Sequence, residues 1–103
     1  MGRPRSEVQQ KLVQLLGSSH VYFQPPPSVK LTYPCFVYER SRGLDKKADD
    51  RTYLFDVGYS VTYISQDPEN GMIERIMKAF PMISYDRHFN SDNLNHDVFI
   101  LFY

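Results

Sequence analysis

Over residues 53–64 the side chains alternate without a break. Tyr53, Phe55, Val57, Tyr59, Val61 and Tyr63 hold every second position, and Leu54, Asp56, Gly58, Ser60, Thr62 and Ile64 fill the gaps. Successive residues of a strand face opposite sides of a sheet, so this period of two dictates a half-buried strand with one wholly aromatic or β-branched face. Gly58 interrupts the mixed face, where a bulge or a close backbone approach is expected. The chain is committed to a sheet, and the sheet needs an apolar layer against its aromatic face.

Two segments offer that layer. Residues 6–16 place Val8, Leu12, Leu15 and Leu16 at i, i+4, i+7 and i+8, one stripe of a helix, with Glu7, Gln10, Lys11 and Gln14 on the polar side. Ser6 suits the N-cap, Gln9 the capping-box position, and Gly17 the stop. Residues 68–80 repeat the pattern with Ile73, Ile76, Met77 and Phe80, and with Glu74, Arg75 and Lys78 outside. There Asp67 is the expected cap, Pro68 the first helical residue, and Pro81 the end.

The remaining segments read as strands and connections. Residues 31–40 alternate Tyr33, Cys35, Val37 and Glu39 with Thr32, Pro34, Phe36 and Tyr38, and Pro34 makes the first half an edge or a bulge. Before it, Val21-Tyr22-Phe23 is a short apolar piece and Pro25-Pro26-Pro27 predicts a stiff, extended connection. Residues 40–52 are charged and almost free of apolar side chains, so a long mobile loop is expected there. Residues 82–89 and 96–103 predict a closing hairpin, joined by the turn formers of 90–95. Helix, two or three strands, helix, hairpin is an α+β order. It predicts a mainly antiparallel sheet of four to five strands packed against two amphipathic helices, all within one domain spanning 1–103.

Composition narrows the function. At 103 residues the chain has room for one domain. Lysine and arginine total 12 and so do aspartate and glutamate; the resulting zero net charge disfavours a free-standing nucleic-acid binder. No apolar run is long enough to span a membrane, and the basic start Gly2-Arg3-Pro4-Arg5 lacks the apolar stretch of a secretory signal. The single cysteine, Cys35, excludes an internal disulfide and a multi-cysteine zinc site, and an intracellular folding compartment is the simplest reading. Eight Tyr, seven Phe and no Trp suit either strand pairing or partner interfaces, since each ring buries area and tyrosine keeps a polar tip.

Few residues point to catalysis. His88, Asp92 and His96 are spaced four apart, but 90–95 breaks any helix that would align them as metal ligands. A catalytic cysteine needs a base or a helix N-terminus to lower its pKa; nothing local offers either to Cys35, which reads as a small buried hydrophobe. There is no glycine-rich phosphate loop and no nucleophile elbow. The expectation is a non-enzyme without metal or cofactor. Two polar tips remain as interface candidates: Arg40, Arg42, Lys46, Lys47, Asp49, Asp50 and Arg51 in the charged loop, and Asn90, Asp92 and Asn93 in the closing turn. The loop's basic and acidic halves suit contact with a like subunit. Asp86, Arg87 and His96 are expected to brace the hairpin rather than to make contacts.

Two stretches resemble the small tail-completion and tail-terminator proteins of long-tailed bacteriophages. One is Leu31-Thr32-Tyr33-Pro34-Cys35-Phe36-Val37-Tyr38-Glu39-Arg40, in which a Tyr-Pro pair leads into an apolar strand ending in Tyr-Glu. The other is Tyr85-Asp86-Arg87-His88-Phe89, with Asp92-Asn93-Leu94 and His96-Asp97-Val98-Phe99 after it. Tyr59-Ser60-Val61-Thr62-Tyr63-Ile64, followed by Asp67-Pro68, is similar as well. Together they span most of 31–103. The resemblance implies a virion structural protein of the neck that assembles as a ring, usually of six copies. The ring would cap the tail tube, meet the tail tube protein on one side and a head-completion or connector protein on the other, and let DNA pass without specific recognition. It implies assembly in the host cytoplasm and a final place in the virion. Two other classes are open: a small phage-encoded regulatory module that binds nucleic acid through loop 40–51, and a small metal-dependent enzyme built on His88 and His96.

Overall fold

The computed structural model describes residues 5–41, 58–67 and 71–102. The elements run α1 (Arg5–Leu16), β1 (Val21–Phe23), β2 (Cys35–Arg40), β3 (Gly58–Ser65), α2 (Met72–Ala79), β4 (Ile83–Ser91) and β5 (Leu94–Phe102). The strands form one sheet in the order β1-β2-β3-β5-β4. β2 with β3, β3 with β5, and β4 with β5 are antiparallel, while β1 runs parallel to β2. The fold is therefore α+β with a mixed, mostly antiparallel sheet. β3 and β4 both run antiparallel to β5, so β3-α2-β4 is a crossover with β5 inserted between its strands.

Both helices cover the same face of the sheet. Tyr59, Val61 and Tyr63 of β3 meet Phe36 and Tyr38 of β2 and Phe99 and Leu101 of β5 in one cluster, closed by Val8 and Leu12 of α1 and by Met72, Ile76 and Phe80. These are the aromatic and branched positions that the period of two assigns to one face. The first part of that alternation, 53–57, lies outside the described residues. Leu15, Leu16, Ile73 and Met77 are half-buried and complete the two helical stripes from the side. Truncating a central residue such as Leu12, which is fully buried, would cost about 2–5 kcal/mol.

The helices run antiparallel and exchange cations. Lys11 Nζ donates to the carbonyl of Ala79 at 2.8 Å, and Arg75 Nη2 donates to the carbonyl of Leu15 at 3.0 Å. Each helix thus meets an orphan C-terminal carbonyl of the other, where a positive charge is favoured. Gly17 ends α1 at φ +79°, with its N–H bonded to the carbonyl of Val13, as the stop signal predicted. Phe80 is extended (φ −123°, ψ 135°), the conformation that a following proline imposes.

Several local expectations meet the structure as follows. α1 begins at Arg5, so Ser6 is inside the helix; Gln9 turns to Tyr38 and the carbonyl of Val21 instead of back to the helix start. The second strand begins at Cys35 rather than at 31, because Pro34 has no N–H to give to a ladder. The described part of the second helix starts at Met72 with Gly71 as N-cap and no side-chain cap at that position; the expected start at Pro68 behind Asp67 falls on residues 68–70, outside the described set. The proline run is not extended throughout: the N–H of Val29 bonds to the carbonyl of Pro26, which folds 26–29 into a turn. At Gly58 the ladder with β5 has no register shift; among the described residues a register shift falls between Tyr85 and Arg87.

Candidate functional site

The closing hairpin is longer and tighter than its composition suggests. The ladder continues through Asn90↔Asn95 and Ser91↔Leu94, so only Asp92 and Asn93 form the turn. Both have positive φ, 54° and 63°, the left-handed pair of a type I′ hairpin, whose twist matches that of the strands. Asp and Asn tolerate this region better than other residues with a Cβ. Of the expected contact residues here, Asp92 and Asn93 are an exposed tip, whereas Asn90 is an exposed strand residue.

The second set of expected contact residues sits elsewhere. Arg40 ends β2 opposite Tyr59, its backbone N–H bonded to Gln24 Oε1 at 3.3 Å. Arg42, Lys46, Lys47, Asp49, Asp50 and Arg51 lie outside the described residues. In register, Arg40 belongs to the end of the sheet where Tyr59 meets Leu101, and the turn to the end where Ser65 meets Asn95. The fold separates Arg40 from the tip 92–93 by the length of β3.

Bracing of the hairpin involves the expected Asp86, Arg87 and His96 together with Tyr85, His88, Asn95 and Asp97. Asp86 and Arg87 sit at the register shift, exposed, and form an ion pair with each other. The Arg87 guanidinium also lies over the Phe89 ring at 5.8 Å. His96 stacks on Phe89 with ring centroids 4.6 Å apart, and its Nδ1 donates to the carbonyl of Leu94 at 3.1 Å. Further polar ties are Tyr85 Oη donating to Asp97 Oδ1 at 2.8 Å and His88 Nε2 donating to Asn95 Oδ1 at 3.1 Å. Asp97 and Asn95 are buried, and their partners satisfy them on the helix-covered side. Loss of solvent around the Tyr85 hydroxyl, then its hydrogen bond to Asp97 and that carboxylate's charge, push Tyr85 up to about 12. Composition could not select Tyr85, Asn95 and Asp97. Only the two-residue turn places them opposite the right neighbours.

The same register separates the histidines. His88 pairs with Asp97 and Phe89 with His96, so His88 and His96 point to opposite faces. Among the described residues no three His, Cys, Asp or Glu side chains gather as metal ligands. Cys35 is fully buried on the face away from the helices, and burial pushes its thiol up to about 11. The thiolate needed for nucleophilic attack is disfavoured there at neutral pH.

Recognition surfaces are better developed than reactive groups. A cavity of about 440 Å³ opens where β2 begins and β3 ends, lined by Tyr33, Pro34, Tyr63, Ser65, Gln66 and Asp67. That volume is within the range of about 300–1,000 Å³ for sites that enclose small ligands or side chains. Tyr63 forms a buried wall and its pKa is raised, chiefly by that burial. Tyr33 stands at the rim with 41% of its surface exposed. Val29, Met82, Tyr85 and Phe89 are the other large apolar side chains at 38–41% exposure among the described residues. Met82, Tyr85 and Phe89 lie on or beside β4, an edge strand exposed along nearly its whole length. The register shift and the charged Asp86 and Arg87 blunt that edge against indiscriminate strand pairing. Neither helix packs on the second face of the sheet, where Cys35, Ile64 and Val98 are buried and Ile100 and Phe102 half-buried. No helix among the described residues is long and apolar enough to cross a membrane.

In comparisons with known proteins, no family model, no curated protein and no solved structure matches this chain.

Proposed function

We propose that this chain is a structural protein of the tail–head junction of a long-tailed bacteriophage. Copies of it form a ring that caps the tail tube and helps join tail to head. The reading starts from the resemblance of 31–40 and 85–99 to tail-completion proteins. The observation that carries it is the distribution of exposed apolar side chains. Val29 and Tyr33 lie on the connection before β2, while Tyr85 and Phe89 lie along the far edge strand β4 and Met82 just before it. A ring subunit of the junction needs one apolar surface for its neighbours in the ring and another for the tube or connector it stacks on, and heterologous contacts between neighbours close into rings. In such a ring the subunits interact with the tail tube protein and with a connector protein of the head, DNA passes through without base-specific contacts, and no cofactor is required. The protein then ends in the virion after assembly in the host cytoplasm.

The test is electron microscopy of a lysate from the parent phage with this gene stopped by a nonsense codon. Filled heads beside overlong or unattached tubes are expected for a terminator; filled heads beside tails of normal length would narrow the role to joining. Normal infectious virions would overturn the reading.

A further inference from the structure

The 24–34 connection carries two features at opposite ends of the sheet that fit each other. The first is a knob. Gln24 is held at the far end of β2 by its N–H to the carbonyl of Tyr38 and by its Oε1 to the N–H of Arg40. From there the chain folds into the turn closed by Pro26 and Val29, which leaves Pro26, Pro27, Val29 and Lys30 exposed. The second is a hole, the cavity of about 440 Å³ at the Cys35 end of the same strand, with the rings of Tyr33 and Tyr63 and the ring of Pro34 as walls. Ser65 lines it as a buried polar residue, and Gln66 and Asp67 are its exposed polar rim.

We infer that the turn 26–29 of one copy seats in the Tyr33–Pro34–Tyr63 cavity of the next. This rests on the ring reading above and names its subunit contact. Aromatic-walled grooves select proline because its ring is apolar and its backbone already stiff, so little entropy is lost on docking. A turn held by its own hydrogen bond adds to that preorganisation. Charge agrees with shape: Lys30 follows the turn and Asp67 stands on the rim, so opposite charges meet as the knob enters. Knob and hole lie at opposite ends of β2, so each copy offers them to different neighbours. The contact is head-to-tail, the kind that closes into a ring when the rotation permits.

Cysteine cross-linking tests the contact. Ser28 and Gln66 are exposed, and the native Cys35 is fully buried and does not compete. Under mild oxidation a mixture of Ser28→Cys and Gln66→Cys proteins is expected to give a dimer holding one of each. The double variant S28C/Q66C should give a ladder of covalent multimers. A control pair, S28C with E7C on the exposed side of α1, sets the background. Lys30→Glu should weaken association about tenfold, and adding Asp67→Lys should restore it. Rings seen by native mass spectrometry without linkage above the control overturn this contact and leave the tail-junction reading standing. A protein that stays monomeric at every concentration also overturns it. Links formed by a protein whose nonsense-codon phage is normal uphold the contact and remove the tail reading.

Discussion

Tyr38 joins the first helix to the sheet through one hydroxyl, and its removal has a calculable cost. The residue is fully buried. Its Oη donates to Gln9 Oε1 at 2.5 Å and accepts from Arg5 Nη1 at 3.0 Å. Gln9 Nε2 continues the chain by donating to the carbonyl of Val21 at 3.2 Å. One network thereby ties α1 to β2 and β1. Tyr38→Phe keeps the ring, with its contact to Phe23 at 5.0 Å between centroids, and removes only the polar tip. Arg5 is exposed and regains water, but the half-buried oxygen of Gln9 loses its donor. Leaving such a group unsatisfied costs about 1–2 kcal/mol. Gln9→Met, similar in volume, removes the acceptor of Tyr38 and the donor to Val21 at a similar cost. The double variant leaves no orphan between the two side chains, so its loss should fall short of the sum by about 1 kcal/mol. For a domain of this size 1 kcal/mol corresponds to a Tm shift of about 4–8 °C. Urea unfolding followed by far-UV circular dichroism, repeated by tyrosine fluorescence, gives the four stabilities, provided m is constant across the set. Additivity within about 0.5 kcal/mol would refute the claim that the network couples helix and sheet.

Burial raises the thiol of Cys35 from 9.0 to about 11, so the stability linked to it is complete below pH 9 and lost as pH rises toward 11. That loss amounts to at most about 3 kcal/mol, and Cys35→Ala should flatten the alkaline limb of the stability–pH curve; parallel curves for the two proteins would refute the linkage. At the left-handed Asn93, φ 63°, a β-branched residue is strained: Asn93→Val should cost about 1–2 kcal/mol and Asn93→Gly much less, and equal melting temperatures would argue against the type I′ turn. Lys11→Met and Arg75→Met should each cost about 0.3–1 kcal/mol, an effect that shrinks at high salt, because each cation lies at the C-terminal carbonyls of the opposite helix. If the cost is the same at low and high salt, packing of the long side chains is the cause instead.

Residues whose pattern is repeated along an element are legible in the sequence. The alternation at 59–63 and the spacing of Val8, Leu12 and Ile76 record which face is buried, since an apolar face must be covered wherever its partner lies. Element ends were less legible. Pro34 and the turn of 26–29 were settled by single backbone hydrogen bonds or their absence, which side-chain patterning does not encode. The hairpin shows the same division: turn-forming residues fill 90–95, yet which two of them reverse the chain depends on cross-strand pairing.

The candidate site divides along that line too. Local order in the chain determined the helices, the strands, the aromatic face and the absence of familiar catalytic motifs, because each of these depends on neighbours within a few residues. Tertiary structure decided what meets what: that His88 and His96 face apart, that Tyr85 reaches Asp97, and that Tyr33, Tyr63 and Asp67 enclose one cavity. These relations join residues across strands. Their register is set by the whole sheet, and a shift of one residue would exchange its two faces.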